Sequence, residues 1–330
     1  MADIIDEVLD GAHEHTSGPN QAESGLDWQA ARLVRTISNR LSARATIRVR
    51  SQAGAEPEDN ECNIKLFEFH PGMAIMDFIN HRRPLYEPQM TYRKLGRLCN
   101  QLFRFLCKQR HLQDRLKGLR HQFAWQLATC EPQLAQLACR LYPSESSPRR
   151  RLVDSVLGEF RAQFRAQLAY LPEFVLHGDL CGRNMLIEVA KPQRLCVIDF
   201  SDLQVGPQAV DLAIMMLYNV LEQEHLPFER ALQLVPRWTL EGYQASGHWR
   251  LAEDQLPLVA SLMKLRLCQS LLNGQLAHQA DPSNAYIMQT NERGWTLLGL
   301  LVDPKSGHPE RLAARWLEGP KAASQHEDTK

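Results

Sequence analysis

FVLHGDLCGRNMLIE (174–188), followed by LCVIDFSD (195–202) and QAVDLAIMM (208–216), is the stretch that decides the fold. Phe174–Leu176 and Leu195–Phe200 are short apolar runs with the length and composition of buried strands. Each hands over to a polar segment. The first ends in His177-Gly178-Asp179, so a strand delivers a carboxylate to its C-terminal end, where polar groups can face a cleft. Asn184 follows Asp179 by five residues, Asp199 closes the second strand, and Asp211 stands ahead of the apolar Leu-Ala-Ile-Met-Met.

Upstream, the pattern changes twice. Residues 1–25 are polar after a short amphipathic start, and a mobile segment is expected there. Trp28–Leu41 places Ala31, Val34, Ile37 and Leu41 on one helical face. Ala45–Arg50 and Cys62–Phe69 alternate as strands around the acidic loop GAEPEDNE (54–61), and His70-Pro71-Gly72 ends the second sharply. From there helical periodicity dominates: Tyr92–Gln109, then about 131–142 and 149–170 split by YPSESSP (142–148). After the central motif come Ala209–Gln223, 228–246, 255–278 and 284–302. The expected organisation is a mobile segment at 1–25, a small sheet-containing lobe with hinge at 26–75, a helical lobe at 76–316 and a flexible tail at 317–330.

Composition limits the partners. The 330 residues carry 38 Lys+Arg and 38 Asp+Glu. A neutral balance supplies no electrostatic reason to expect nucleic acid or an anionic membrane. The eight cysteines (62, 99, 107, 130, 139, 181, 196 and 268) form no C-x-x-C pair and sit mostly in apolar runs. Reduced thiols fit that usage, rather than a disulfide framework or a zinc site. MADIIDEVLDGAHEH lacks the cationic flank and apolar run of a signal peptide, and no apolar stretch has the length of a membrane span. A soluble, cytoplasmic protein is expected.

The residue types and spacing of the central stretch point to phosphoryl transfer. Asp179 can orient a hydroxyl nucleophile and accept its proton. The carbonyl oxygen of Asn184 suits a magnesium ion already carrying phosphate charge. The D-x-x-x-x-N spacing is that of the protein-kinase catalytic loop, with His-Gly-Asp in place of His-Arg-Asp. Asp199 takes the place of the kinase metal-binding Asp at the end of the next strand. Positioning and charge neutralisation carry most of the catalysis in this reaction, so one base and two metal-binding oxygens form an adequate minimal set. His177 is expected to brace the loop. Asp202 reads equally as a further polar partner or as a turn cap, and Asp211 as a residue that caps and pins a helix. Cys181 has no neighbouring base in the sequence to activate it.

HGDLCGRNML…VIDFSD…VDLAIMM resembles the aminoglycoside-phosphotransferase and choline-kinase-like family, and within it most closely the hydroxylysine kinase branch. FEFHPGMAI (67–75) is similar to that branch's inter-lobe segment. HQFAWQL (121–127) and LRLCQSLLNGQLAHQADPSNAYIMQTNERGW (265–295) are similar to parts of its helical lobe. The resemblance covers roughly 60–302. It implies an α+β, protein-kinase-like two-lobed fold with a large helical C-terminal lobe. It also implies transfer of a nucleotide γ-phosphate to a hydroxyl of an amine-bearing small molecule. For this branch that is 5-hydroxy-L-lysine, with GTP (or ATP) as donor and Mg²⁺ as cofactor. By the same resemblance Asp179 is the base, and Asn184 and Asp199 hold the metal.

The N-terminal part departs from the family pattern. No lysine precedes Lys65, no G-x-G-x-x-G occurs in the first sixty residues, and only Asp27 could stand for the acid of the small-lobe helix. A reduced N-terminal sheet lobe is therefore expected. Two other functions remain open at this point: a kinase-like binding protein without turnover, and a kinase of another amino alcohol such as choline or ethanolamine.

Overall fold

The structure is a computed structural model that describes residues 44–48, 61–65, 72–81, 87–119, 125–189, 195–247, 250–283 and 291–318. The helix expected at Trp28–Leu41, Asp27 and the tail after Gly319 lie outside the described residues. The chain divides into two compact units, 1–73 with Leu186–Ser201, and Ala74–Met185 with Asp202–Lys330.

In the first unit, β1 (Arg44–Arg48) and β2 (Glu61–Lys65) pair antiparallel, with Arg44 opposite Lys65 and Arg48 opposite Glu61. Glu61 of the stretch GAEPEDNE belongs to β2, and its other residues lie outside the described residues. β3 (Met73–Ala74) closes this N-terminal run of strands.

The second unit is mainly helical. α1 (Ile75–His81) is followed by α2 (Pro88–Leu106), whose first residue is a proline. Proline is pre-set for the first helical turn, which is why α2 starts ahead of the Tyr92 expected from periodicity. α3 (Arg110–Leu119), α4 (Glu131–Leu141) and α5 (Pro148–Glu159) come next. The helix expected over 149–170 is not continuous: a π turn at Phe160–Phe164 separates α5 from α6 (Arg165–Tyr170). The extra residue of that turn brings Phe160 and Phe164 both into the core.

β4 (Phe174–Leu176) and β5 (Met185–Ile187) flank the polar loop, and β5 pairs with β6 (Leu195–Val197). β6 is shorter than the expected Leu195–Phe200. Asp199 has φ 62°, a left-handed conformation that stops a strand, and Phe200–Asp202 form a 3-10 turn. β7 (Gln204–Gly206) then pairs antiparallel with β4, setting Val175 opposite Val205 and Leu176 opposite Gln204.

The remaining helices are α7 (Ala209–Glu222), α8 (Phe228–Ala245), α9 (Leu256–Ala280), α10 (Asn291–Val302) and α11 (Pro309–Leu317). Tyr92, Leu95, Leu102 and Leu106 on α2 and Ala231, Val235 and Tyr243 on α8 form buried stripes at helical spacing. The two helices touch backbone to backbone: a Cβ on Gly96 would sit 1.9 Å from the Thr239 carbonyl oxygen, and one on Gly242 1.9 Å from that of Arg93. Arg93 and Arg237 both donate to Glu241, at 2.7 and 2.9 Å, along the edge of this crossing. α7 and the first two thirds of α9 are buried nearly all round, which marks them as the centre of the core rather than a surface layer. The architecture is α+β, with small antiparallel pairs and a dominant helical unit.

Candidate active site

Leu176 and His177 are fully buried at the end of β4, so the loop that follows leaves the core in a fixed direction. Its backbone is held from α7. Asp211, itself buried, accepts the N–H of His177 at 2.8 Å and the N–H of Gly178 at 2.9 Å. The N-cap of α7 is Gln208 and Asp211 lies in the first turn, so the carboxylate ties the loop to the helix instead of capping the helix's own amides. Burial pushes the Asp211 carboxyl up from its ordinary range, while His177 and the two backbone N–H groups pull the other way.

Gly178 has φ 84°, and a Cβ there would stand 2.1 Å from the Asp202 carbonyl oxygen and 2.4 Å from Gln204 Nε2. Only glycine fits, and this is the physical reason for His-Gly-Asp here. The buried Gln204 side chain reaches back to the Gly178 carbonyl at 3.5 Å and accepts the Leu127 N–H at 3.3 Å. His177 Nδ1 accepts the Asp179 N–H at 3.3 Å, so the imidazole braces the loop from inside.

Asp179 and Asn184 meet directly. Asn184 Nδ2 donates to Asp179 Oδ2 and to the Asp179 carbonyl, both at 2.9 Å. The Cys181 N–H also donates to that carbonyl, at 2.8 Å, closing the turn between them. With its NH₂ group engaged by Asp179, Asn184 has its carbonyl oxygen to offer a hard cation. The Cys181 thiol lies 3.8 Å from Asp179 Oδ2, and burial, reinforced by Asp179, pushes it up to about 12. A thiol so held carries no thiolate near neutrality, so Cys181 is not a nucleophile.

The other Asp179 oxygen is taken by a residue that the motif does not contain. Arg266 on α9 donates from Nη2 to Asp179 Oδ1 at 2.8 Å, with its side chain 3% exposed against 23% for Asp179. The guanidinium carbon lies 4.8 Å from the Trp125 ring centroid and 5.7 Å from that of Tyr218, and Nη1 donates to Gln269 at 3.0 Å. Burial opposes the Arg266 charge, but Tyr218, Asp179 and Asp202 favour it and hold the group above its ordinary value.

In the first unit, Asp199 is exposed and its Oδ1 accepts from the Ser201 N–H at 3.3 Å and the Ser201 hydroxyl at 2.5 Å. No group of three or more His, Cys, Asp or Glu side chains able to hold a metal occurs among the described residues. Asn184 and Asp199 each carry an oxygen of the kind a magnesium ion accepts, one in each unit.

Residues 29–244 match the model of the phosphotransferase enzyme family. The chain belongs to that family. The α+β, kinase-like fold class expected from the sequence agrees with that membership. Curated relatives include hydroxylysine kinase of Mus musculus, 26% identical over 267 residues, and hydroxylysine kinase of Bos taurus, 27% identical over 268 residues. Each alignment covers 78% of this chain and 65% of the relative, so the chain spans about two thirds of the length of the curated relatives it matches. Among solved structures, the chain is similar to the GDP complex of wild-type aminoglycoside 2'-phosphotransferase-IIIa, at 15% identity and TM-score 0.44, over 78% of this chain and 75% of that one. No helix among the described residues is long and apolar enough to cross a membrane.

Arg266, Trp125 and Gln204 were not among the site residues expected from the sequence. A signal for Arg266 exists. Lys264 and Arg266 interrupt the otherwise apolar run Leu262–Cys268, and a cation inside a buried helix needs a carboxylate partner.

Proposed function

We propose that this chain is a small-molecule kinase that transfers a nucleotide γ-phosphate to a hydroxyl of an amine-bearing substrate. In its most specific form the acceptor is 5-hydroxy-L-lysine, the donor GTP and the cofactor Mg²⁺, acting in the cytoplasm. The observation that carries the proposal is the direct Asn184–Asp179 contact at 2.9 Å, at the end of a buried strand. It supports reading Asp179 as the base and Asn184 as a metal-binding amide, a pairing that phosphoryl transfer can use. The two hydroxylysine kinase relatives support the acceptor.

In this mechanism the acceptor hydroxyl donates to Asp179, which orients its oxygen towards the γ-phosphorus. The new O–P bond forms as the bond to the β-phosphate oxygen breaks, and the hydroxyl proton passes to Asp179. Asn184 through its amide oxygen and Asp199 through its carboxylate are each proposed as residues that would bind magnesium, which would neutralise charge on the phosphates. Asp211 and Gly178 keep the loop in the one conformation that presents Asp179.

The test is nucleoside diphosphate release by purified protein with Mg²⁺ and GTP or ATP, with and without 5-hydroxylysine. Hydroxylysine-stimulated GDP production is expected. Stimulation by choline or ethanolamine alone would reassign the acceptor, and no stimulated turnover together with no nucleotide binding at millimolar concentration would make the chain a catalytically silent relative.

A further inference from the structure

We propose that Arg266 is the positioning residue of the site: it clamps Oδ1 of Asp179 so that Oδ2, on the more exposed side, meets the acceptor hydroxyl. This rests on Asp179 being the base.

The carboxylate is gripped from two directions. Arg266 Nη2 holds Oδ1 at 2.8 Å and Asn184 Nδ2 holds Oδ2 at 2.9 Å, which together fix the torsion about the Cβ–Cγ bond. Since Arg266 is 3% exposed and Asp179 23%, the guanidinium occupies the buried side of the carboxylate. The guanidinium is itself immobilised. Trp125 and Tyr218 present ring faces to it, and the Gln269 amide oxygen takes Nη1. A planar fork can bond a carboxylate and lie against rings at once; an ammonium cannot.

The fold alone does not explain this arginine. The first two thirds of α9 are buried nearly all round, and the Arg266 Nε–H is buried there with no hydrogen-bond partner. A charged group with an unsatisfied donor is a poor way to fill a core position that a hydrophobic side chain could occupy. Lys264, two residues earlier on α9, provides the contrast. It is also buried, but both of its bonds, 2.9 and 2.8 Å, go to the Glu159 carboxylate on α5, away from Asp179. One buried cation of the helix serves the core; the other faces the base.

The experiment compares Arg266→Met, Arg266→Lys and Lys264→Met with wild type, using acceptor-stimulated nucleotide turnover normalised to folded protein. For Arg266→Met, kcat is expected to fall on the order of 10²-fold, the cost of a misplaced reacting group. The acceptor KM is expected to change less than about twofold, because uniform binding is untouched. Arg266→Lys should recover part of that kcat, and Lys264→Met should lose stability with kcat intact. If Arg266→Met keeps wild-type kcat per folded molecule, or if Lys264→Met loses kcat equally, Arg266 is a structural residue and the proposal falls. A crystal structure of Arg266→Met separates this from failure of the kinase assignment itself. Should wild type show no turnover with any amino alcohol, several Asp179 conformers in the variant would still establish the clamp, and an unmoved Asp179 would overturn it.

Discussion

Asp211 accepts the backbone N–H groups of His177 and Gly178 at 2.8 and 2.9 Å, so the first turn of α7 and the loop bearing Asp179 are fastened through one buried carboxylate. Two donors that have left water share one side chain, and a substitution there strands at least one of them. Asp211→Asn keeps one acceptor but turns an NH₂ group towards a backbone N–H. The expected loss is about 1–3 kcal/mol, the cost of an unsatisfied buried donor. Urea unfolding of wild type and variant measures it, and a midpoint unchanged with the same slope would show that the pin does not stabilise the fold. Turnover should fall more than stability, since the loop is what the pin positions.

Gly178→Ala tests the same loop from the other side. The substitution adds a Cβ at φ 84°, and that atom meets the Asp202 carbonyl oxygen at 2.1 Å, backbone against backbone. Left-handed geometry alone costs an alanine about 1–2 kcal/mol, and relieving the clash requires the chain to move. Gly158→Ala is the control, because nothing lies within 4 Å of a Cβ at that helical position. It should be neutral or slightly stabilising by the same unfolding assay, while Gly178→Ala should lose several-fold in turnover even where it folds.

How far the sequence discloses this site depends on whether partners are near in sequence or brought together by packing. His177, Asp179, Asn184 and the strand Phe174–Leu176 are legible because a local spacing fixes them. The C-terminal end of β6 was not, since the left-handed backbone at Asp199 is a single-residue event that an apolar run does not announce. The π turn at Phe160–Phe164 is hidden for a similar reason: helical periodicity survives the insertion of one residue well enough to read as continuous. Arg266 is 87 residues from Asp179, and their pairing depends on how α9 packs. The sequence shows only that a cation is buried there, not which carboxylate receives it.

Glu222, at the end of α7, gives a pH-dependent prediction. Burial lifts its carboxyl to about 7, against the opposing pull of Arg183, whose Nε lies 3.4 Å from Oε1. The folded-state value lies above the ordinary 4.5, so the folded protein favours the protonated form. The resulting stability is fully present below about 4.5 and is lost as pH rises through about 7. At about 1.4 kcal/mol per pH unit, the interval caps the effect at about 3 kcal/mol. Glu222→Gln cannot ionise. Its stability relative to wild type should therefore rise between pH 5.5 and pH 8, measured by urea midpoints at several pH values. A constant difference across that range would mean that Glu222 is ionised throughout.

Asp179→Asn and removal of divalent metal should both abolish acceptor-stimulated turnover, yet leave different traces on stability. Asparagine at 179 turns the Arg266 pair into a buried guanidinium facing a neutral amide, and breaking a buried pair from one side costs about 3–5 kcal/mol. Activity of this variant must therefore be read per folded molecule, by circular dichroism or by the midpoint of urea unfolding. Chelation by EDTA removes no side chain. It should stop turnover, restored by added Mg²⁺, while the unfolding midpoint of the nucleotide-free protein stays within about 0.5 kcal/mol, the range of changes that touch no packed group. Turnover that survives in folded Asp179→Asn would exclude Asp179 as the base, and turnover insensitive to EDTA would exclude the metal role of Asn184 and Asp199. Full loss in both, with destabilisation only in the variant, is the pattern of a base held by a buried cation beside a metal that binds with the nucleotide.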